Sequence, residues 1–191
     1  MTNILSRDDV LLFILDIEAS ALGYGSYPIE VGLALIQGTR LPIRTWSALI
    51  RPTQQWREAG VWSSESAVVH NIPFDLLEQE GRPASEICSW LNALLGRAAI
   101  VVTDAPLYDQ DWLDALFRAG DCDQLFTLLD FDALTGGFNP DQYRRFVNLL
   151  ERERVRHRAG PDALRLARSL LEAHLGYPPP VEEALLPAPG S

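Results

Sequence analysis

Apolar residues fall into two rhythms along this chain. Short continuous runs mark strands buried on both faces, and three-to-four spacing marks helices with one buried face. Leu11-Leu12-Phe13-Ile14-Leu15 is a run of the first kind, set just after the polar Arg7-Asp8-Asp9. A small-residue, Gly-rich turn follows from Ala19 to Tyr27. Pro28–Ile36 reads as a second strand and Thr45–Ile50 as a third, ended by Arg51-Pro52. The Gly38-Thr39 connection is too short for a crossover helix, so these three strands form an antiparallel meander.

The rhythm then changes. Residues 54–62 read as irregular and Trp-rich. Short helices are expected over Ser63–His70 and Pro73–Gln79. Pro83–Leu95 is amphipathic, with Ile87, Trp90, Leu91, Leu94 and Leu95 on one face and Gly96 as its stop. Ala98–Thr103 is a buried strand, Tyr108–Ala119 a helix, and Leu125–Leu129 a fifth strand. Asn139-Pro140-Asp141-Gln142 opens a further helix running to Arg154: Asn caps it, Pro takes the first position, and Gln stands three residues past the cap. Pro161–Leu175 is the last helix. Residues 1–177 form the domain, and the Pro-rich tail, 178–191, is expected to be extended or disordered. Strands separated by helices are parallel. The expected fold class is therefore α/β: a mixed five-stranded sheet, three strands antiparallel and then two parallel, with helices on both faces. Its first strand is central.

Composition narrows the class. Hydrophobic residues make up 47% of 191, enough to bury a full core. No run of about 18 apolar residues exists to span a membrane. Acids stand near the N-terminus where a secretory signal needs bases, so a cytoplasmic protein is expected. Cys88 and Cys122 have no metal-binding spacing and read as reduced structural thiols. The net charge of -10 excludes a protein that coats nucleic acid by bulk electrostatics. All 16 basic residues are Arg, and eight of them lie between Gln142 and Arg168 against three acids. A basic face on an acidic body suggests one localised anionic partner.

The first strand ends in Asp16-Ile17-Glu18. Strand side chains alternate, so these two carboxylates project to the same side, about 7 Å apart along the chain. Like charges at a buried strand end repel, and a divalent cation is the usual compensation. The pattern alone is not specific, because solvated acids at the mouth of a finished strand would look the same. Two further places supply chemistry. Asp104 ends the fourth strand, and Asp109 falls in the first turn of the next helix, where acids also occur for dipole reasons. His157 precedes the last helix and Asp162 opens it, a short loop that lets both converge. In such sheets, sites lie outside the carboxyl ends of the parallel strands, where these residues gather.

Their order in the chain resembles the DEDDh 3'-5' exonucleases, the group that includes the proofreading subunit of bacterial DNA polymerase III and RNase T. The family's D-x-E looks like Phe13–Ser20, and its I-E-hydrophobic-G strand looks like Ile29-Glu30-Val31-Gly32. Its aromatic-Asp helix motif looks like Tyr108-Asp109-Gln110-Asp111-Trp112-Leu113, and its H-x4-D motif like His157 to Asp162. The match runs from residue 11 to about residue 172. Asp104 stands where the family often has Asn, and His70-Asn71-Ile72 where it often has H-G-I. Asp104, Asp109 and Asp111 lie close together, and Asp109 is chosen by its aromatic-Asp context.

The resemblance implies an RNase H-like fold and a two-metal phosphodiester hydrolase using Mg²⁺ or Mn²⁺, which suit hard oxygen ligands. Asp16 would bridge both ions. Glu18 and Asp162 would complete the site holding the attacking water, and Asp109 would support the second ion. His157 would be the general base, a role that suits imidazole near neutral pH. Ala19, Ser20 and Leu22 would line the pocket for the last nucleotide, with His70, Asn71, Ile72 and Tyr108 around it. Arg156 and Arg158 would contact phosphates. The expected partner is a 3' end of single-stranded DNA or short RNA. A hydrolase of dinucleotides or other small phosphodiesters, and a non-catalytic RNase H-like binding module, are the other readings. The oligomeric state stays open, a homodimer included.

Overall fold

The computed structural model describes residues 4–184 and residue 186. The expected tail residues 185 and 187–191 lie outside the described residues, as do residues 1–3. The central strand β1 spans Leu12–Ala19 and pairs antiparallel with β2, Pro28–Ile36, which pairs antiparallel with β3, Ile43–Leu49. After three short helices, α1 (Gln54–Ala59), α2 (Ser64–His70) and α3 (Phe74–Glu80), comes α4, Ala84–Leu95. Next are β4 (Ile100–Thr103), α5 (Pro106–Ala119), β5 (Leu128–Asp130) and the single-turn α6 (Asp132–Thr135). Helices α7 (Pro140–Arg152) and α8 (Ala159–Leu175) precede β6, Val181–Glu183. The sheet order is β5-β4-β1-β2-β3-β6, with β4 parallel to β1, β5 parallel to β4 and β6 parallel to β3. Among the described residues, no helix is long and apolar enough to cross a membrane.

The α/β architecture follows the expected strand order, with four differences in detail. The tail contributes a sixth strand. Its three side chains are exposed, so the pairing is made by backbone alone and leaves no apolar signature. Residues 54–59, read as irregular, are helical because the Thr53 hydroxyl caps Trp56 N–H and the Trp56 ring stacks on Tyr27 at 5.2 Å. The fifth strand is shorter and later than expected, since Phe126 turns aside to pack edge-on against Phe117. Helix α6 had no separate signature. The Asn139 capping box forms as expected, with Gln142 closing it.

Two cores flank the sheet. Phe13, Leu15, Val31 and Leu33 pack against α4 and α5 through Leu91, Trp112, Leu113 and Leu116. Leu12, Ile14, Ala34 and Ile36 pack against α8 through Leu166, Leu170 and Leu171. Side chains on β1 alternate between these faces, so Asp16 and Glu18 continue the row of Leu12 and Ile14 toward the start of α8. That geometry brings the first-strand acids to the helix that carries Asp162.

Candidate active site

Asp162 lies in the first turn of α8, buried, and its carboxylate organises the loop before it. It accepts the backbone N–H of Arg156 at 3.0 Å and of Arg158 at 3.3 Å. These two bonds flank His157, which is exposed and sits in the left-handed region at φ 53°. His157 is thus presented at the surface by a loop pinned on either side of it.

Strand β2 holds the same loop from below. Glu30 pairs with Glu18 across the β1–β2 ladder and is 1% exposed. It accepts Nε of Arg158 at 2.9 Å, a terminal guanidinium nitrogen of Arg158 at 2.8 Å, and the Ala159 N–H at 3.0 Å. A planar guanidinium meeting a carboxylate at two points fixes orientation as well as distance. Gly32, paired with Asp16, gives the second hold. A Cβ there would overlap the Ala159 carbonyl group and the Gly160 nitrogen, so only glycine lets α8 start against the strand.

The third contribution comes from β4 and α5. Asp109 is buried in the first turn of α5, its N–H bonded to the Ala105 carbonyl at 3.0 Å. The Thr103 hydroxyl, at the end of β4, donates to its carboxylate. Together these elements enclose a cleft of about 300 Å³ whose lining includes Asp16, Glu18, Asp104, Asp109, His157 and Asp162. Ligand atoms of Glu18, His157 and Asp162 all lie within 4.8 Å of one another.

The electrostatics of this cleft oppose its own charge. Burial pushes Asp16 well above the usual carboxylate range, and Glu18, Asp109, Asp104 and Asp162 add repulsion. Glu18 rises to about 8, chiefly by burial and then by Asp162 and Glu30, with Arg158 pulling the other way. Asp109 rises to about 7 through burial, despite the Thr103 hydrogen bond that favours its ionised form. Several carboxylates that cannot all ionise together are what a divalent cation relieves. The donor set, carboxylate oxygens with one imidazole beside them, fits a hard ion such as Mg²⁺ or Mn²⁺.

Compared with solved structures, the chain is similar to E. coli exonuclease I in a zinc-bound complex with single-stranded DNA, at TM-score 0.65 and 12% identity, covering 87% of this chain and 41% of that one. It is similar to the same exonuclease in complex with a dA16 oligonucleotide, at TM-score 0.65 and 11% identity over 87% of this chain and 41% of that one. It is also similar to S. pombe Pop2p in its Mg²⁺- and Mn²⁺-bound form, at TM-score 0.60 and 17% identity over 87% of this chain and 83% of that one. The fold is that of the RNase H-like exonucleases. The chain spans about two-fifths of the exonuclease I chains it resembles. No family profile matches its sequence, and no curated protein does either.

On this RNase H-like sheet, all five residues expected in the metal site and as general base reach one cleft, as do Leu22 and Tyr108. Leu22 is 75% exposed and Tyr108 is exposed, so both offer open apolar surface beside the acids. Asp104 also lines the cleft, whereas Asp111 is exposed and lies outside its lining. Other expected substrate contacts have different occupations. Ala19 is buried, and the fully buried Ser20 donates its hydroxyl to the Val61 carbonyl at 2.7 Å while accepting Tyr27 N–H. His70 is buried against Trp62, with Nδ1 accepting Ile72 N–H at 3.0 Å; Ile72 is core, and Asn71 is the left-handed cap of α2. None of these three lines the cleft: Ile72 is spent in the core, Asn71 is exposed, and His70 Nε2 is buried with no hydrogen-bond partner among the described residues. The Arg158 guanidinium is held by Glu30, and Arg156 lines a neighbouring groove. Sequence reading missed Thr103, Trp112, Val155 and Arg165 at or beside the cleft. Arg165 carried a signal, since it stands one helical turn after Asp162 and pairs with it at 3.8 Å.

Proposed function

We propose that this protein is a metal-dependent 3'-5' exonuclease that hydrolyses phosphodiester bonds from the 3' end of single-stranded DNA or short RNA. The observation that carries the reading is the meeting of Asp16, Glu18, Asp109, His157 and Asp162, from four separate elements or loops, in one cleft. Asp16, Glu18, Asp109 and Asp162 would hold two Mg²⁺ or Mn²⁺ ions. Bound there, such ions lower the pKa of a water nucleophile and stabilise charge on the phosphoryl and leaving oxygens.

The remaining chemistry belongs to the chain. His157 accepts the proton of the attacking water and, being exposed, returns it to solvent. The Arg156 and Arg158 amides bonded to Asp162, and the Glu30 grip on Arg158, hold the imidazole's backbone at a fixed place relative to Glu18. Leu22 and Tyr108 supply faces on which a terminal base packs without regard to its identity, which suits a single strand.

The test is incubation of a 5'-labelled single-stranded oligonucleotide with Mg²⁺, Mn²⁺ or EDTA. The expected result is a ladder of shortened labelled products, absent with EDTA and absent for His157→Ala. A wild-type protein that yields no ladder with either metal overturns the reading. Parallel turnover of a dinucleotide measures how far activity depends on strand length.

A further inference from the structure

A second, larger depression lies beside the metal cleft. It has a volume of about 920 Å³ against about 300 Å³ for the cleft, and the two share Asp162 and Arg165 in their walls. Arg82, Arg154, Arg156, Arg165 and Arg168 line it, against Glu153, Asp162 and Glu183. Five guanidiniums therefore gather at one groove of a chain whose net charge is -10. Four of the eight arginines that the sequence places between residues 142 and 168 line this groove, and Arg82 joins them.

The pairing of these arginines is incomplete. Arg168 faces Glu153 at 3.4 Å and Glu172 at 3.8 Å, and Arg165 faces Asp162 at 3.8 Å. Among the described residues, Arg154 and Arg156 form no ion pair, and both are exposed. The Nε groups of Arg165 and Arg168 are shielded from solvent and have no hydrogen-bond partner among the described residues. The exposed, unpaired guanidiniums of Arg154 and Arg156, with Arg168 beside them, match a chain of phosphates, where an arginine can bind two oxygens at once.

We propose that this groove is a track for the phosphodiester backbone of a single-stranded nucleic acid, holding phosphates further along the strand from the one at the cleft. The inference rests on the nuclease reading and narrows its substrate to strands of several nucleotides. It also accounts for how an acidic protein holds a polyanion, since attraction is confined to one path leading to the acids.

Fluorescence anisotropy of a 5'-fluorescein-labelled oligothymidylate, in EDTA so that no strand is cut, reads the groove without the metal site. Three variants are compared with the wild type: Arg154→Glu, Arg168→Gln, and Arg97→Glu as an equal charge change at an exposed site outside the groove. Arg154→Glu is expected to weaken binding about tenfold and to lower the slope of log affinity against log salt by about 0.7 or more. Arg168→Gln is expected to act in the same direction, while Arg97→Glu stays within about twofold. The proposal is overturned if the wild type shows no salt-dependent binding, or if Arg154→Glu and Arg97→Glu weaken it equally. A protein that binds through the groove yet cuts no strand in Mg²⁺ or Mn²⁺ would sink the nuclease reading instead.

Discussion

Burial, and then four neighbouring carboxylates, push the Asp16 carboxyl well above the usual carboxylate range in the ion-free fold. Glu18 and Asp109 share that predicament, at about 8 and about 7. Each binds its proton more tightly folded than unfolded, so its stabilising effect is complete at acid pH. That effect is lost as pH rises from the ordinary carboxylate range through about 8. Melting in EDTA should accordingly occur several degrees lower at about pH 8.5 than at about pH 6. A flat or opposite profile would show that folding does not raise the proton affinity of these acids. Asp16→Asn separates function from stability. It should cost at least about a hundredfold in turnover if Asp16 holds the metal as proposed. In EDTA near pH 8 the same change should raise stability by about 1 kcal/mol, because folding no longer has to protonate or bury a carboxylate that is ionised in the unfolded chain. Denaturant titration beside a nuclease assay checks both directions.

At the level of elements, the decisive arrangement is β2 holding the start of α8. Glu30 contributes a charged grip and Gly32 a close approach, and between them they place His157 and Asp162 over the end of β1. Glu30→Gln should lower stability by about 1–3 kcal/mol, less than breaking a fully buried pair costs, because the Arg158 side chain is 41% exposed. Turnover should fall about 10- to 100-fold through misplacement of the imidazole. Gly32→Ala should do more harm to both, as backbone must shift. Equal activity in either variant would show that the loop is held by something else. Elements with their own local signals were readable in the sequence: the Asn139 capping box, the five-residue apolar run of β1 and the face of α4. Elements that depend on partners were not. Helix α1 is fixed by Tyr27 stacking on Trp56, and β5 by where Phe126 finds room.

For the molecule as a whole, the convergence of Asp16, Glu18, Asp109, His157 and Asp162 on one cleft was legible because each sits at the end of an element that sequence rhythm locates. The roles of Ser20, His70 and Arg158 were not, since a motif gives a residue's place and says nothing of which neighbour takes its hydrogen bonds. Cation binding should couple these scales. Titrating Mg²⁺ or Mn²⁺ should raise the melting temperature, with about 2.7 kcal/mol of stabilisation at a hundredfold excess over Kd. Binding should release protons near pH 7, measurable in weak buffer, and Asp16→Asn should abolish most of both effects.

The small strand β6 bears on the sheet as a whole. Ile43 N–H donates to the Pro180 carbonyl and Ala184 N–H to the Thr45 carbonyl, each at 2.9 Å, so backbone groups along β3 are already engaged. A sheet margin left open invites another chain to add itself there. Shortening the polypeptide to residue 177 would remove that seal and a wall of the arginine groove together. The trimmed protein should therefore self-associate more strongly than the intact one on a sizing column, in proportion to its concentration.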